Sequence, residues 1–146
     1  MFSRPLVVAH KGASAYLPGN TIAAYDLAMR LGADCIELDV QLTGDGQIVV
    51  YDRWYVEDGD LQRPVIQLSL DDIQRLRSHT PNRNSQHGPS ELLTLREAMS
   101  HLKPTGAELL IELKNSRLLQ PLSLAQSVID VGQSRWLRQP AVPLPS

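Results

Sequence analysis

His10, Glu37, Asp39, Asp52, Glu112 and Lys114 come from four separate stretches of the sequence, yet each stands at or near the end of a short apolar run. In parallel α/β folds the C-terminal ends of the strands share one rim, so these side chains are predicted to converge. Several carboxylates on one rim make a hard, anionic cage. Such a cage suits Mg2+ or Ca2+, which take oxygen ligands, better than zinc, which favours His and Cys. Without a cation the carboxylates repel one another, and burying them unpaired costs roughly several kcal/mol, on the order of a domain's whole stability. A divalent cation beside His10 and Lys11 points to phosphate chemistry. The metal neutralises phosphoryl oxygens, a cationic side chain binds another, and the histidine moves a proton. Taken singly, each group has a plainer reading. A histidine after a strand is commonly a hydrogen-bonded loop residue, Glu-x-Asp is commonly one solvated sheet face, and Glu112 with Lys114 is commonly a surface ion pair. Asp45-Gly46 is turn chemistry under any function, and His79, His87 and His101 lie in or near polar segments and are assigned no role. The shared rim position is what joins the others.

The elements that must do this positioning follow from the pattern. Leu6-Val7-Val8-Ala9 reads as a buried strand that stops at His10-Lys11-Gly12. Asn20 reads as an N-cap, with Ala24, Leu27, Ala28 and Leu31 at helical spacing behind it and Gly32 as the stop. Residues 34–40 form a second predicted strand, with Cys35, Glu37 and Asp39 on one face and Ile36, Leu38 and Val40 on the other. Residues 48–51 and 108–114 are the third and fourth. Ser69 to Asp72 and Thr94 to Glu97 read as capping boxes opening two helices, the first stapled by Leu68 against Ile73. Residues 78–90 read as an exposed loop, residues 123–131 as a weak helix, and residues 132–146 as an irregular tail. Strands alternating with helices predict an α/β domain with parallel strands. Gln41 to Gln47 is too short for a crossover helix, so the second and third strands break the repeat.

Composition narrows the class. The chain has 146 residues, 42% of them apolar and 21% charged, which is enough for one packed core and argues against disorder. Lys plus Arg total 14 against 16 Asp plus Glu, so the basic excess typical of nucleic-acid binders is missing. The single cysteine, Cys35, excludes an internal disulfide framework, and no apolar run is long enough to span a membrane. Met1-Phe2-Ser3-Arg4-Pro5 is too short and mixed for a signal peptide. These features predict a soluble, cytoplasmic domain.

His10-Lys11-Gly12-Ala13-Ser14, Pro18-Gly19-Asn20-Thr21 and Glu37-Leu38-Asp39-Val40 together resemble the opening of the glycerophosphodiester phosphodiesterase family. The resemblance continues through Leu42-Thr43, Asp45-Gly46 and Val49-Val50, then Leu68-Ser69-Leu70, Leu93 to Glu97 and Ile111-Glu112-Leu113-Lys114. It covers about residues 6–114, in order and close to the family's spacing. It implies a TIM (β/α)8 barrel and cleavage of a small-molecule glycerophosphodiester to an alcohol plus glycerol phosphate with Mg2+ or Ca2+. It further implies Glu37, Asp39 and Glu112 as metal ligands, His10 as one of two acid/base histidines, and Lys114 near the phosphate, with Lys11 beside it.

Three positions depart from the family pattern. Lys11 stands for the usual Arg, which keeps the charge but loses the bidentate grip on phosphate. Gly19 stands for the usual Glu. Val50-Tyr51-Asp52-Arg53 lacks the His-Asp pair that supplies the second histidine, so Asp52 either replaces that histidine or is the family's aspartate after a one-residue deletion. The alternative to an active phosphodiesterase is therefore an impaired or truncated relative that binds metal or phosphodiester without turnover. A full barrel takes about 250 residues, so the chain is expected to hold only the first four strands of an incomplete barrel, whose open edge could be covered by self-association.

Overall fold

The alternation of residues 35–42 gives one strand, β2 (Cys35–Leu42), two buried faces, and the other elements are arranged around it. The computed structural model describes residues 4–79, 91–114 and 121–135. Strand β1 (Val8–His10) runs parallel to β2 with Val8 opposite Cys35 and His10 opposite Glu37. Strand β3 (Ile48–Val50) continues along the same edge but antiparallel, with Val50 opposite Val40. Strand β7 (Glu108–Leu113) takes the other edge in parallel register, from Cys35 opposite Glu108 to Val40 opposite Leu113. This register puts Glu112 level with Asp39 on the face that also carries Glu37 and His10.

The opposite face is apolar and makes the main core. Ile36, Leu38 and Val40 pack beneath α1 (Ile22–Arg30) and α3 (Leu95–Leu102), whose Tyr25, Ala28, Leu95, Ala98 and Leu102 are buried with them. Each large aliphatic side chain buried this way contributes about 1.5–3 kcal/mol. Several such residues on one face of β2 offset the cost of holding two carboxylates on the other. A second cluster, Val49, Val56, Val65, Leu68, Ile73 and Leu92, joins β3 to α2 (Leu70–His79) and to the hairpin β4 (Tyr55–Asp58) and β5 (Leu61–Pro64).

All four expected strands are present, but the first runs over Val8–His10 and is not buried, since Leu6, Val7 and Val8 are exposed. Three are parallel, and the third turns back through a hairpin because residues 43–47 hold only a tight turn, closed by Thr43 and Gln47. Both capping boxes form: Thr94 Oγ1 accepts from Glu97 N while Glu97 reaches back to Thr94 N, and Ser69 pairs with Asp72 in the same way. Leu68 and Ile73 are buried together, as the staple requires.

Other expectations are corrected. Thr21 caps α1 in place of Asn20, its Oγ1 accepting from Ala24 N. The β4–β5 hairpin and the two-residue strand β6 (Leu93–Thr94) were not anticipated, since their short runs carry little alternation. The weak helix is longer than its periodicity suggests. It runs as α4 (Pro121–Arg135) through Gly132, held by Leu124, Val128 and Val131 against the main core. Of the predicted loop and tail, residues 80–90 and 136–146 lie outside the described residues. Among the described residues no helix is long and apolar enough to cross a membrane.

Candidate active site

Strand β1 ends at His10, and the chain then folds over the end of β2. Lys11 N donates to both the backbone oxygen and Oε2 of Glu37, each at 3.0 Å. Asn20 N closes the loop by donating to Lys11 O at 2.9 Å. Lys11 and Asn20 both hold left-handed backbone, at φ 59° and 60°, an uncommon conformation for residues with side chains. Gly12, at φ 78°, lies so close to α1 that a Cβ there would meet Ala24 C at 2.7 Å. The glycine lets the loop press against the helix, and that seats His10 and Lys11 at the rim.

The carboxylates meet as their spacing predicts. Glu37, Asp39 and Glu112 each offer an oxygen, and all three oxygens lie within 4.8 Å of one another. Asp39 is completely buried and Glu37 nearly so, while Glu112 is exposed. Two lysines enter this cluster. Lys114 Nζ lies 2.6 Å from Glu112 Oε1 and 2.9 Å from Asp39 Oδ1. Lys11 Nζ lies 3.5 Å from Asp39 Oδ2 and 2.8 Å from Asp52 Oδ2. Asn20 Nδ2 donates to Asp39 Oδ2 at 3.1 Å. His10 stands outermost, with Nε2 3.9 Å from Glu37 Oε2.

The electrostatics follow from these contacts. Burial pushes the Asp39 carboxyl up, but the contacts with Lys114 and Asn20 and the charge of Lys11 outweigh it, so Asp39 titrates below the usual carboxylate range. Glu37 moves the other way: burial, then the charge of Asp39, raise it, and the Lys11 N–H offsets only part of this. Lys11 is raised chiefly by its hydrogen bond to Asp52, and Lys114 by its contacts with Glu112 and Asp39. Glu37 Oε1 is buried with no hydrogen-bond partner. Asp39 Oδ1 also lacks an aligned hydrogen bond, although Lys114 lies 2.9 Å away. The pair still attracts, because opposite charges so close do so at any angle.

A hard cation fits this arrangement. Oxygens gathered within 4.8 Å of one another can be spanned by one divalent cation, whose oxygen ligands lie about 2.0–2.6 Å from it. Among the described residues four carboxylates face two ammonium groups here, leaving negative charge and an orphaned buried oxygen for the cation to satisfy.

Two of the three departures from the resemblance lie against each other. A Cβ on Gly19 would sit 2.9 Å from Lys11 Cβ, so the space a larger residue at position 19 would use is filled by the lysine stem. Asp52 reaches the rim because Gln41 Nε2 donates to Tyr51 O and Arg53 O, at 2.7 and 2.8 Å, tying that segment to β2. Its carboxylate is bound to Lys11. Tyr51 turns away: its hydroxyl donates to Tyr55 O at 3.4 Å, and its ring lies 4.8 Å from the Arg77 guanidinium. His101 pairs with Asp26 of α1 at 2.6 Å and takes no part in the cluster. Asn20 and Gln41 are the site residues that sequence reasoning missed. Asn20 was hidden by its plausibility as a cap, and Gln41 by a strand position that carries no special signal.

Residues 10–135 match the Glycerophosphoryl diester phosphodiesterase family. YhdW of Bacillus subtilis is 41% identical over 117 residues, covering 74% of this chain and 44% of that protein. Glycerophosphodiester phosphodiesterase GDPD4 of Arabidopsis thaliana is 30% identical over 134 residues, covering 87% of this chain and 39% of that one. A phosphodiesterase of Oleispira antarctica, solved with its product sn-glycerol-3-phosphate, superposes with a TM-score of 0.74 at 26% identity, covering 92% of this chain and 54% of its own. The chain thus spans less than half the length of these curated relatives, and its mixed sheet is an open part of a (β/α)8-type barrel. With the loop, the carboxylate-bearing strands and the capped helices all inside the matched segment, the chain belongs to the glycerophosphoryl diester phosphodiesterase family.

Proposed function

We propose that the protein hydrolyses glycerophosphodiesters to an alcohol and glycerol phosphate at the rim formed by β1, β2 and β7, with Mg2+ or Ca2+ held by Glu37, Asp39 and Glu112. The observation that carries this reading is the gathering of Glu37, Asp39 and Glu112, one oxygen from each within 4.8 Å of the others, with Glu37 Oε1 buried and unpartnered. When bound, the cation supplies positive charge that polarises a phosphoryl oxygen. Lys11 and Lys114 bind the remaining phosphate oxygens as point charges, without the fixed fork of an arginine. His10, exposed beside Glu37, moves a proton at its Nε2 to or from the reacting oxygen. Asp52 holds Lys11 in place, since its carboxylate is already spent on that ammonium. The attacking group is water or a neighbouring substrate hydroxyl. The product bound to the Oleispira relative supports the substrate class, and a single buried thiol, Cys35, supports a reducing, cytoplasmic setting.

A second reading is binding without turnover, favoured by the engagement of Asp52 and Tyr51 with Lys11 and Tyr55, which leaves neither poised to replace a second histidine. Release of glycerol phosphate from glycerophosphodiesters, dependent on Mg2+ or Ca2+ and lost in Glu37→Ala, supports hydrolysis. Calorimetric binding of the diester with no release above a His10→Ala control supports the second reading and sinks the first.

A further inference from the structure

We propose that Asn20 and Tyr25 form a positioning relay for the metal site, in which the Asn20 amide fixes Asp39 so that its Oδ1 faces the cation. The inference rests on the metal reading given above. Asn20 is buried, at 8% exposure, and its Nδ2 donates to Asp39 Oδ2 at 3.1 Å. Asp39 is an acceptor only, so the amide must present its NH2 to it. On the far side the Tyr25 hydroxyl donates to Asn20 Oδ1 at 3.4 Å. Tyr25 is wholly buried, and burial with the charges of Glu37 and Asp39 holds its phenol protonated well above the ordinary range, so it remains a donor. Asp39 fixes the amide orientation, because a flipped amide would set oxygen against carboxylate, and the phenol, which can donate or accept, donates to the oxygen this leaves facing it.

The backbone supports the assignment. Asn20 sits at φ 60°, and its side chain does not cap α1, because Thr21 does that. A residue in strained backbone that gives up capping and turns its amide inward is placed to hold Asp39. With Oδ2 held by Asn20, Oδ1 is the Asp39 oxygen turned to the Glu112 side of the cluster, where Lys114 Nζ lies 2.9 Å from it and 2.6 Å from Glu112 Oε1. Partners that orient a metal ligand in this way typically change metal affinity by about 10–100-fold when removed.

The test titrates the wild-type chain, Asn20→Gly, Tyr25→Phe and the double variant with Mg2+ and Ca2+ by calorimetry, with circular dichroism to establish folding. Glycine keeps the left-handed backbone and phenylalanine keeps the core, so each removes only the polar contact. Asn20→Gly is expected to weaken cation binding by about 10–100-fold. Tyr25→Phe weakens it by a smaller factor, and the double variant is no weaker than Asn20→Gly, because Tyr25 acts only through Asn20. A purely structural role would not produce that non-additivity. Wild-type affinity in the folded single variants overturns the relay while leaving the metal site intact. If Asn20→Gly does not fold, an unchanged affinity in Tyr25→Phe overturns it alone. A wild-type chain that takes up neither cation overturns the metal reading itself, and the relay with it.

Discussion

Replacing Glu37 with glutamine should stabilise the cation-free protein and destabilise the cation-bound one. Glu37 is 6% exposed, one oxygen accepts the Lys11 N–H, and the other has no partner. Glutamine keeps an acceptor for Lys11 N and puts a neutral NH2 in place of the orphaned oxygen of a group that the charges of Asp39 and Glu112 oppose. It thereby removes the carboxylate repulsion. An unsatisfied buried group costs about 1–3 kcal/mol, so Glu37→Gln in chelator should be more stable by about that amount, or roughly 3–10 °C in melting midpoint. At a cation concentration about a hundredfold above Kd the wild type gains about 2.7 kcal/mol, and the variant, having lost a charged ligand, gains much less. The order of the two melting points should therefore narrow or reverse on adding Mg2+ or Ca2+. The pH dependence has a definite sign. Burial and Asp39 hold Glu37 above its ordinary value of 4.5. A raised carboxyl favours the protonated form in the folded state, so the cost is absent below that ordinary value. It develops as pH rises from that value through the raised one, so the advantage of glutamine vanishes in acid and grows toward higher pH. Thermal unfolding in chelator and in cation reads all of this. A Glu37→Gln protein less stable than wild type in chelator at neutral pH would refute the reasoning.

Other perturbations separate the remaining roles. His10→Ala should lower turnover by about 10²–10⁴, whereas Asp52→Asn, which only loosens Lys11, should raise KM more than it lowers kcat; steady-state kinetics on a glycerophosphodiester compare them. Thr94→Ala removes the capping box of α3 and should destabilise by about 1–2 kcal/mol in denaturant unfolding without changing cation affinity. Asp34 accepts from Arg4 and from Val7 N, contacts that hold its carboxyl below the ordinary 3.8. That stability is present above the ordinary value and is lost as pH falls through the lower folded one, so Asp34→Asn should melt with a shallower acid dependence than wild type.

Much of the site was readable because its members obey short-range rules. Glu37 and Asp39 share a face by period-two geometry alone, and the capping boxes of α2 and α3 follow from Ser69 and Thr94 with their acidic partners three residues on. The antiparallel return of β3 follows from a connection too short to cross over. Asn20 was misread because Asn and Thr are near-equal caps and adjacent here, so local preference could not choose between Asn20 and Thr21. The choice was made by Asp39, far along the chain, whose buried carboxylate needed a donor. The full extent of α4 was equally hidden, since its hold comes from Leu124, Val128 and Val131 against the core and not from propensity.

The sequence by itself determined the family resemblance, the strands and the residue types gathered on one rim, because alternation, caps and motif order are local and survive in one dimension. Only the tertiary structure decided the partnerships: β7 beside β2 levelling Glu112 with Asp39, Lys114 between them, Lys11 over Gly19 and against Asp52, and Asn20 beneath Asp39. These depend on strand register and on which buried charge lacks a counter-group, and both are set by packing between segments that no local rule connects.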